Sequence, residues 1–248
     1  MKVSIITVCY NSSETIEDTI LSVVNQSYPN IEYILIDGAS KDSTQQIIAR
    51  YSKNISAVVS EPDKGIYDAI NKGLKLATGD VIGVLNSDDL YIDNQVVFDV
   101  VNKLKNSQAD CLYADLQYVD RIDLNRVKRN WVSGEYKSGL FYQGWMPPHP
   151  TFFLKSECYR RFGNYNIQLK SAADYELMLR MIHVNKITTV YLPRVLVKMR
   201  IGGKSNVTLV NRIKANREDR LAWKLNQVKP RFYTLFMKPL SKLGQFFR

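Results

Sequence analysis

The 248-residue chain has little of what most redox and metal-centre chemistry uses. It holds two histidines, His149 and His183, and three cysteines, Cys9, Cys111 and Cys158. No CxxC and no Cys/His zinc spacing occurs, which excludes a structural zinc module and a thioredoxin-type centre. Odd in number and far apart, the cysteines read as small core hydrophobes in a reducing cytoplasm. Neither GxGxxG nor GxxxxGK[ST] is present, so the chain is no dinucleotide dehydrogenase and no P-loop NTPase. No apolar run approaches the ~18 residues of a membrane span. The opening MKVSIITVCYNSS has one lysine and no small-residue cleavage site, and reads as a first strand rather than a signal peptide.

What is there suits a soluble α/β enzyme. Hydrophobic residues make up 45% and charged residues 23%, enough for one large domain or one and a half. The net charge of +10 is uneven: Arg212 to Arg248 holds ten Lys/Arg and two acids, leaving the body nearly neutral.

Strand and helix patterns alternate through the first half. Strands are expected at Val3–Cys9, Ile31–Ile36, Ile55–Val59 and Val81–Leu85. Helices are expected after Asn11-Ser12-Ser13, over Ser43–Tyr51, over Ile66–Ala77 and around Val96–Leu104. This predicts a mostly parallel sheet covered on both faces. In the Ile66–Ala77 helix, Ile66, Ile70, Leu74 and Ala77 form one apolar face, and Gly79 suits a left-handed cap. Beyond residue 105 the pattern loosens. Cys111–Val119 and Val127–Val132 suggest a hairpin, 133–150 a loop, and Thr151–Leu154 a short strand. Helices at Ser156–Arg161 and Ala173–Val184 precede strands at Thr188–Leu192 and Val195–Arg200.

The chemistry concentrates at strand ends. The buried run Val81–Leu85 passes into Asn86-Ser87-Asp88-Asp89, and open α/β sheets bind ligands outside the carboxyl ends of their strands. Two adjacent carboxylates there repel, and a hard cation relieves them; a helix N-cap is the plainer alternative. Asp37 ends the second strand, where an acid accepts hydrogen bonds from a ribose or serves the turn at Gly38. Asp174 opens a helix as a cap or as a general base facing a cleft. His149, in the Pro-rich Trp145-Met146-Pro147-Pro148-His149-Pro150, suits ligand contact or a rigid connection. His183 reads as structural. Arg200-Ile201-Gly202-Gly203-Lys204-Ser205 suits a mobile diphosphate loop.

Two stretches together, SIITVCYNSSETIEDTILSVVNQSYPNIEYILIDGASKDST and DKGIYDAINKGLKLATGDVIGVLNSDD, resemble family 2 glycosyltransferases, including bacterial enzymes of capsule, O-antigen and exopolysaccharide synthesis. The resemblance spans about residues 1–205. It implies a GT-A fold, with a Rossmann-like nucleotide-binding half over 1–105 and an acceptor-binding and catalytic half over 106–210; the composition beyond reads as a basic helical extension over 211–248. It implies an inverting, Mn²⁺- or Mg²⁺-dependent transfer of sugar from a nucleotide-diphosphate sugar to a saccharide hydroxyl.

By the same resemblance, Thr7, Tyr10, Asn11, Asp37, Lys64, Asn71, Asn86, Ser87, Asp88, Arg200 and Ser205 border the donor. Asp88 and Asp89 hold the metal, Trp145 and His149 meet the acceptor, and Asp174 is the catalytic base. Two departures stand out: Asn86 replaces the usual first Asp of the DxD motif, and Ala173 replaces a frequent Glu. They are the support for the rival reading, an inactive nucleotide-sugar-binding scaffold.

The tail sets aromatic and aliphatic groups beside Lys and Arg, with Arg212–Gln227 expected as a basic amphipathic helix. It suits an anionic membrane surface, or a helix docked on the body with its charges solvated. No motif for nucleic acid accompanies the charge. A polyprenyl-diphosphate-linked acceptor would fit a cytoplasmic protein peripheral on the inner face of the plasma membrane.

Overall fold

The computed structural model describes residues 1–202, 209–234 and 237. Its elements run β1 (Val3–Cys9), α1 (Ile16–Val24), β2 (Ile31–Asp37), α2 (Thr44–Arg50), β3 (Ala57–Ser60), α3 (Ile66–Leu76), β4 (Val81–Val84), β5 (Asp89–Tyr91) and α4 (Val96–Ser107). They continue with β6 (Cys111–Val119), β7 (Val127–Trp131), β8 (Phe153–Lys155), α5 (Ser156–Phe162), α6 (Ala173–Met178), β9 (Thr189–Arg200) and α7 (Leu209–Leu225).

The strands form one sheet in the order β3-β2-β1-β4-β8-β6-β9-β5, with β7 paired to β6. β1, β2, β3 and β4 are mutually parallel, as the alternation of strand and helix implies. Every residue of β1 and β4 is buried, which is why these strands read as continuous apolar runs. β8 then enters antiparallel between β4 and β6. Antiparallel twice over, it leaves β6 running in the direction of β4, and β9 is parallel to β6. The carboxyl ends of β1, β2, β4, β6 and β9 therefore share one rim, and the residues leading into β8 are delivered to that same rim.

Several local expectations are corrected. The apolar face of α3 begins at Tyr67, not Ile66: Tyr67, Ile70, Gly73 and Leu74 are buried, while Ile66 is exposed. Gly79 is not left-handed; it is a glycine because a Cβ would sit 2.7 Å from the Ser4 backbone nitrogen and 3.0 Å from the Lys2 carbonyl oxygen. Asp89–Tyr91, to which the sequence assigned no element, is a strand paired with β9. The two strands expected over 188–200 are one, β9, whose register shifts beside Ala114 and Asp115 to accommodate Pro193. The expected helix 173–184 is α6 followed by a π-helical turn, Leu179–Val184.

The expected division at 105 falls inside α4, and the one at 210 inside α7. Strands from both halves share one sheet, so neither point is a break in the fold. All three cysteines are free and buried, as core hydrophobes. No helix among the described residues is long and apolar enough to cross a membrane. The tail helix does not lie free as expected for a membrane helix: Ala222 and Trp223 of α7 have no exposed surface and pack into the core. Residues 238–248 lie outside the described residues.

Candidate active site

The rim at the carboxyl ends of β1, β2 and β4 carries the site. At the end of β1, Tyr10 is 50% exposed, a large aromatic face left open to solvent. Gly38 follows β2, and a side chain there would meet Asp63 Oδ2 at 2.6 Å and the Tyr10 ring at 3.3 Å. The three residues thus enclose a narrow notch. Asp63 is set by its own turn, in which Oδ1 accepts the Gly65 N–H at 2.8 Å. That turn needs Gly65, whose φ of 128° suits no other residue. Nothing local in the sequence shows that Asp63 faces Tyr10.

Asp37 lies at the floor of this notch with no exposed surface. Its carboxylate accepts from Ser60 Oγ at 2.6 Å, Gln45 Nε2 at 3.0 Å, the Ser40 N–H at 3.2 Å, and the Ser40 hydroxyl. So saturated, it shapes the wall, and a direct contact with a ribose or base requires one of those donors to leave. Thr7 is likewise interior: its hydroxyl accepts from Tyr33 at 3.2 Å. Asn11 is exposed and left-handed at φ 48°, its Oδ1 accepting the Lys41 N–H at 2.8 Å. Lys64 is exposed beside Asp63 on the loop into α3.

Asn71 turns away from the rim. It ties α3 to the loop after α5 through both hydrogen bonds of the Tyr165 backbone, at 2.8 and 3.0 Å. The expected donor contact from Asn71 is therefore replaced by a structural one.

Beyond β4, Ser87 is buried and shares a 2.8 Å hydrogen bond with Ser12. Asp88 is half-buried, and its carboxylate makes no hydrogen bond to the described residues. Its carbonyl accepts from Arg200 at 2.9 Å. Arg200, expected at the start of a mobile loop, is instead the last residue of β9, 4% exposed. The rest of its guanidinium is spent on Asp18 and the Arg121 carbonyl, so it braces Asp88 from behind. Ser205 lies outside the described residues.

Asp89 has no exposed surface, and its Oδ1 has no partner among the described residues. Burial and the neighbouring Asp88 charge push its carboxyl well above the usual range. The half-buried Asp88 carboxylate fits a hard cation as an open ligand, whereas Asp89, with no exposed surface, is not the expected second ligand. Among the described residues no group of three or more His, Cys, Asp or Glu stands ready to hold a metal, so diphosphate oxygens and water would complete the shell.

From here a chain of contacts crosses the cleft. Asn86 Nδ2 donates to Asp89 Oδ2 at 3.4 Å and lies 3.2 Å from His149 Nε2. His149 Nδ1 stands 3.4 Å from Asp174 Oδ2. Asp174 Oδ1 accepts from the Tyr67 hydroxyl at 3.1 Å. Protonated on Nδ1, His149 can donate to Asp174 while its Nε2 accepts from Asn86. Burial and the Asp174 charge push the Tyr67 hydroxyl well above its usual range, which keeps it a donor. The Asp174 and His149 side chains are 18% and 29% exposed, so both reach the cleft.

The fold explains the meeting. Antiparallel β8 brings the short helical turn His149–Thr151 beside Asn86, and α6 begins opposite it. Trp145, expected at the acceptor, gives its indole N–H to the Ser133 carbonyl at 2.8 Å and packs among Tyr113, Tyr136 and Phe141. It presents only a partial apolar face. Tyr67 was missed as a site residue because its spacing reads as core.

A family model for Glycosyl transferase family 2 matches residues 4–165. An uncharacterized glycosyltransferase of Mycobacterium tuberculosis is 30% identical over 186 residues, covering 72% of this chain and 68% of that protein. The poly-beta-1,6-N-acetyl-D-glucosamine synthase of Staphylococcus epidermidis is 35% identical over 107 residues, or 42% of this chain and 26% of that protein. In structure, Staphylococcus aureus TarS in complex with UDP superposes with a TM-score of 0.70 at 18% identity, over 98% of this chain and 72% of that one. This likeness shows the GT-A fold that the sequence resemblance implies. By its matched segment, its relatives and its fold, the chain belongs to glycosyl transferase family 2.

Proposed function

We propose that the chain moves a sugar from a nucleoside-diphosphate sugar to a saccharide hydroxyl, with inversion, in the synthesis of a surface polysaccharide. The observation that carries this is Asp174, a cleft-facing carboxylate oriented by Tyr67 and His149. The acceptor oxygen forms its bond to the anomeric carbon as the bond to the diphosphate breaks on the opposite face. Asp174 takes the hydroxyl proton, a contribution typically worth ~10²–10⁴-fold in rate. The nucleoside diphosphate leaves with the bonding pair.

Tyr10 offers a stacking face for the base, and Asp63 an acceptor at its edge. Asp88 would hold Mn²⁺ or Mg²⁺, which supplies Lewis-acid stabilisation of the leaving diphosphate when bound. The polysaccharide reading leans on the poly-N-acetylglucosamine synthase relative, and the nucleotide on the UDP in TarS. A lipid-linked acceptor and attachment to the inner membrane face belong to this proposal. Of the tail, Phe232, 90% exposed beside Arg231, offers such a surface, whereas Ala222 and Trp223 of α7 are packed in the body.

The test is calorimetry with UDP, GDP, CDP and dTDP sugars, with and without Mn²⁺, followed by turnover of whichever donor binds. Asp88→Ala is expected to remove the metal-dependent part of binding. Asp174→Asn is expected to keep donor binding and lose ~10²–10⁴ in kcat. Undiminished turnover in Asp174→Asn would overturn the assignment of the base.

A further inference from the structure

α6 is six residues long and opens on the segment that carries Asp174. So short a helix does not hold its own position; whatever packs on it does. Much of that work falls to the basic C-terminal helix.

Glu218, on α7, directs one carboxylate oxygen at the residues just before α6. Its Oε2 accepts the backbone N–H groups of Lys170 at 3.1 Å, Ser171 at 2.7 Å and Ala172 at 3.0 Å, and the Ser171 hydroxyl at 2.9 Å. Three successive N–H groups converging on one anion form a nest, filled here by the chain's own glutamate. Charge-assisted bonds of this kind are about twice as strong as neutral ones.

Two further contacts fall on the far side of Asp174. Trp223 Nε1 donates to the Tyr175 hydroxyl at 2.9 Å, and Asn226 Nδ2 donates to Glu176 Oε1 at 3.0 Å. Trp223 is fully buried, with Tyr142 at 5.1 Å between ring centres. Glu176 is also paired with Arg180, whose guanidinium holds the carbonyls of Phe162, Gly163 and Asn164. The residues immediately before and after Asp174 are thus gripped by one element, and Asp174 itself is left to the cleft.

We propose that α7 is a clamp that sets the position of the base, with Glu218 and Trp223 as positioning residues. The charge of this helix then has a different meaning from that of a membrane tail: its apolar side and its inward carboxylates, Glu218 and the buried Asp219, complete the catalytic half of the site. The proposal rests on Asp174 being the base. A displacement of the order of ~1 Å at a catalytic group can cost ~10²-fold in rate, so the clamp has leverage without touching substrate.

The test uses the full chain with Glu218→Ala, Glu218→Gln and Trp223→Phe, assayed on the donor that the wild type turns over. Glu218→Ala is expected to lower kcat about tenfold or more, with the donor KM within twofold. Hydrogen exchange at residues 170–172 is expected to speed up. Glu218→Gln keeps the shape and one acceptor oxygen, so it folds and shows a smaller loss in the same direction. Trp223→Phe keeps the packing and loses only the Tyr175 bond, lowering kcat a few-fold.

The clamp is refuted if Glu218→Gln and Trp223→Phe both keep wild-type kcat. It is equally refuted if kcat and donor KM worsen together with the melting temperature, the pattern of a merely structural role. Failure of the base reading is separate: it shows as turnover surviving in Asp174→Asn.

Discussion

His149 Nδ1 stands 3.4 Å from Asp174 Oδ2, which makes the histidine a partner of the carboxylate proposed as the base rather than a free acceptor contact. Through Nε2, 3.2 Å from Asn86, the same ring reaches the motif at the end of β4. Asn86 in place of Asp is intelligible here. Its amide supplies hydrogens to both His149 and Asp89, whereas a carboxylate there would have no hydrogen to give to His149 Nε2.

Replacing His149 by alanine is therefore expected to lower kcat by roughly 10–100-fold while donor affinity changes little. His149→Asn, which can still offer an N–H towards Asp174, recovers part of the loss. Steady-state kinetics at saturating acceptor decide it. A raised acceptor KM at unchanged kcat would return His149 to acceptor binding.

The notch between Tyr10, Gly38 and Asp63 predicts base preference. Uracil and guanine present a ring N–H that a carboxylate accepts, whereas cytosine presents a lone pair at the same edge. UDP is expected to bind about tenfold tighter than CDP, a difference of ~1.4 kcal/mol. Asp63→Asn should erase that difference. Tyr10→Ala should weaken both, since base–aromatic stacking is worth ~1–3 kcal/mol. Calorimetry with the bare diphosphates measures all of this, and equal UDP and CDP affinities would remove Asp63 from the site.

Acid stability should depend on Glu32, far from the cleft. Burial opposes its ionisation, but hydrogen bonds from Lys2, Ser4 and Thr78 outweigh this and hold the carboxyl at about 2. A depressed folded-state value means stability that is present above the unfolded value of ~4.3 and lost as pH falls towards the folded one. At neutral pH, Glu32→Gln is expected to lose ~1–3 kcal/mol. The gap to wild type should close between pH ~4.3 and ~2, read as melting temperature against pH. A gap independent of pH would contradict the assignment.

Two glycines should differ in their tolerance of alanine. At Gly79 the added carbon meets backbone of Ser4 and Lys2, which cannot yield. At Gly73 it meets Ile6 Cγ2 at 2.5 Å, side chain rather than backbone, and alanine regains about 1 kcal/mol of helix propensity inside α3. Overpacking typically costs ~1–3 kcal/mol, and Gly79→Ala is expected at or above the top of that range and Gly73→Ala near the bottom. Denaturant melts of the two variants settle the order.

Much of the nucleotide half was legible in the chain. β1, β2 and β4 are mostly apolar runs followed by polar residues, and contiguous residues carry that pattern. The same logic marked Asn86 to Asp89 and Asp174 as strand-end and helix-start acids. It failed where a side chain's partner is remote. Asp37 looked like a ligand contact and is saturated by Ser40, Gln45 and Ser60. Asn71 looked like part of a binding motif and secures Tyr165. Arg200 looked like a loop cation and is a buried brace.

By itself, then, the sequence determined the period of its elements, the acids at their ends and the family to which they belong, because each is written in neighbouring residues. The tertiary structure alone decided which of those acids share a cleft. Antiparallel β8 placed His149 between Asn86 and Asp174, and α7 folded back so that Glu218 holds the start of α6. Such pairings form between residues far apart in the chain, where hydrogen-bond geometry and burial select the partner and no local pattern records the choice.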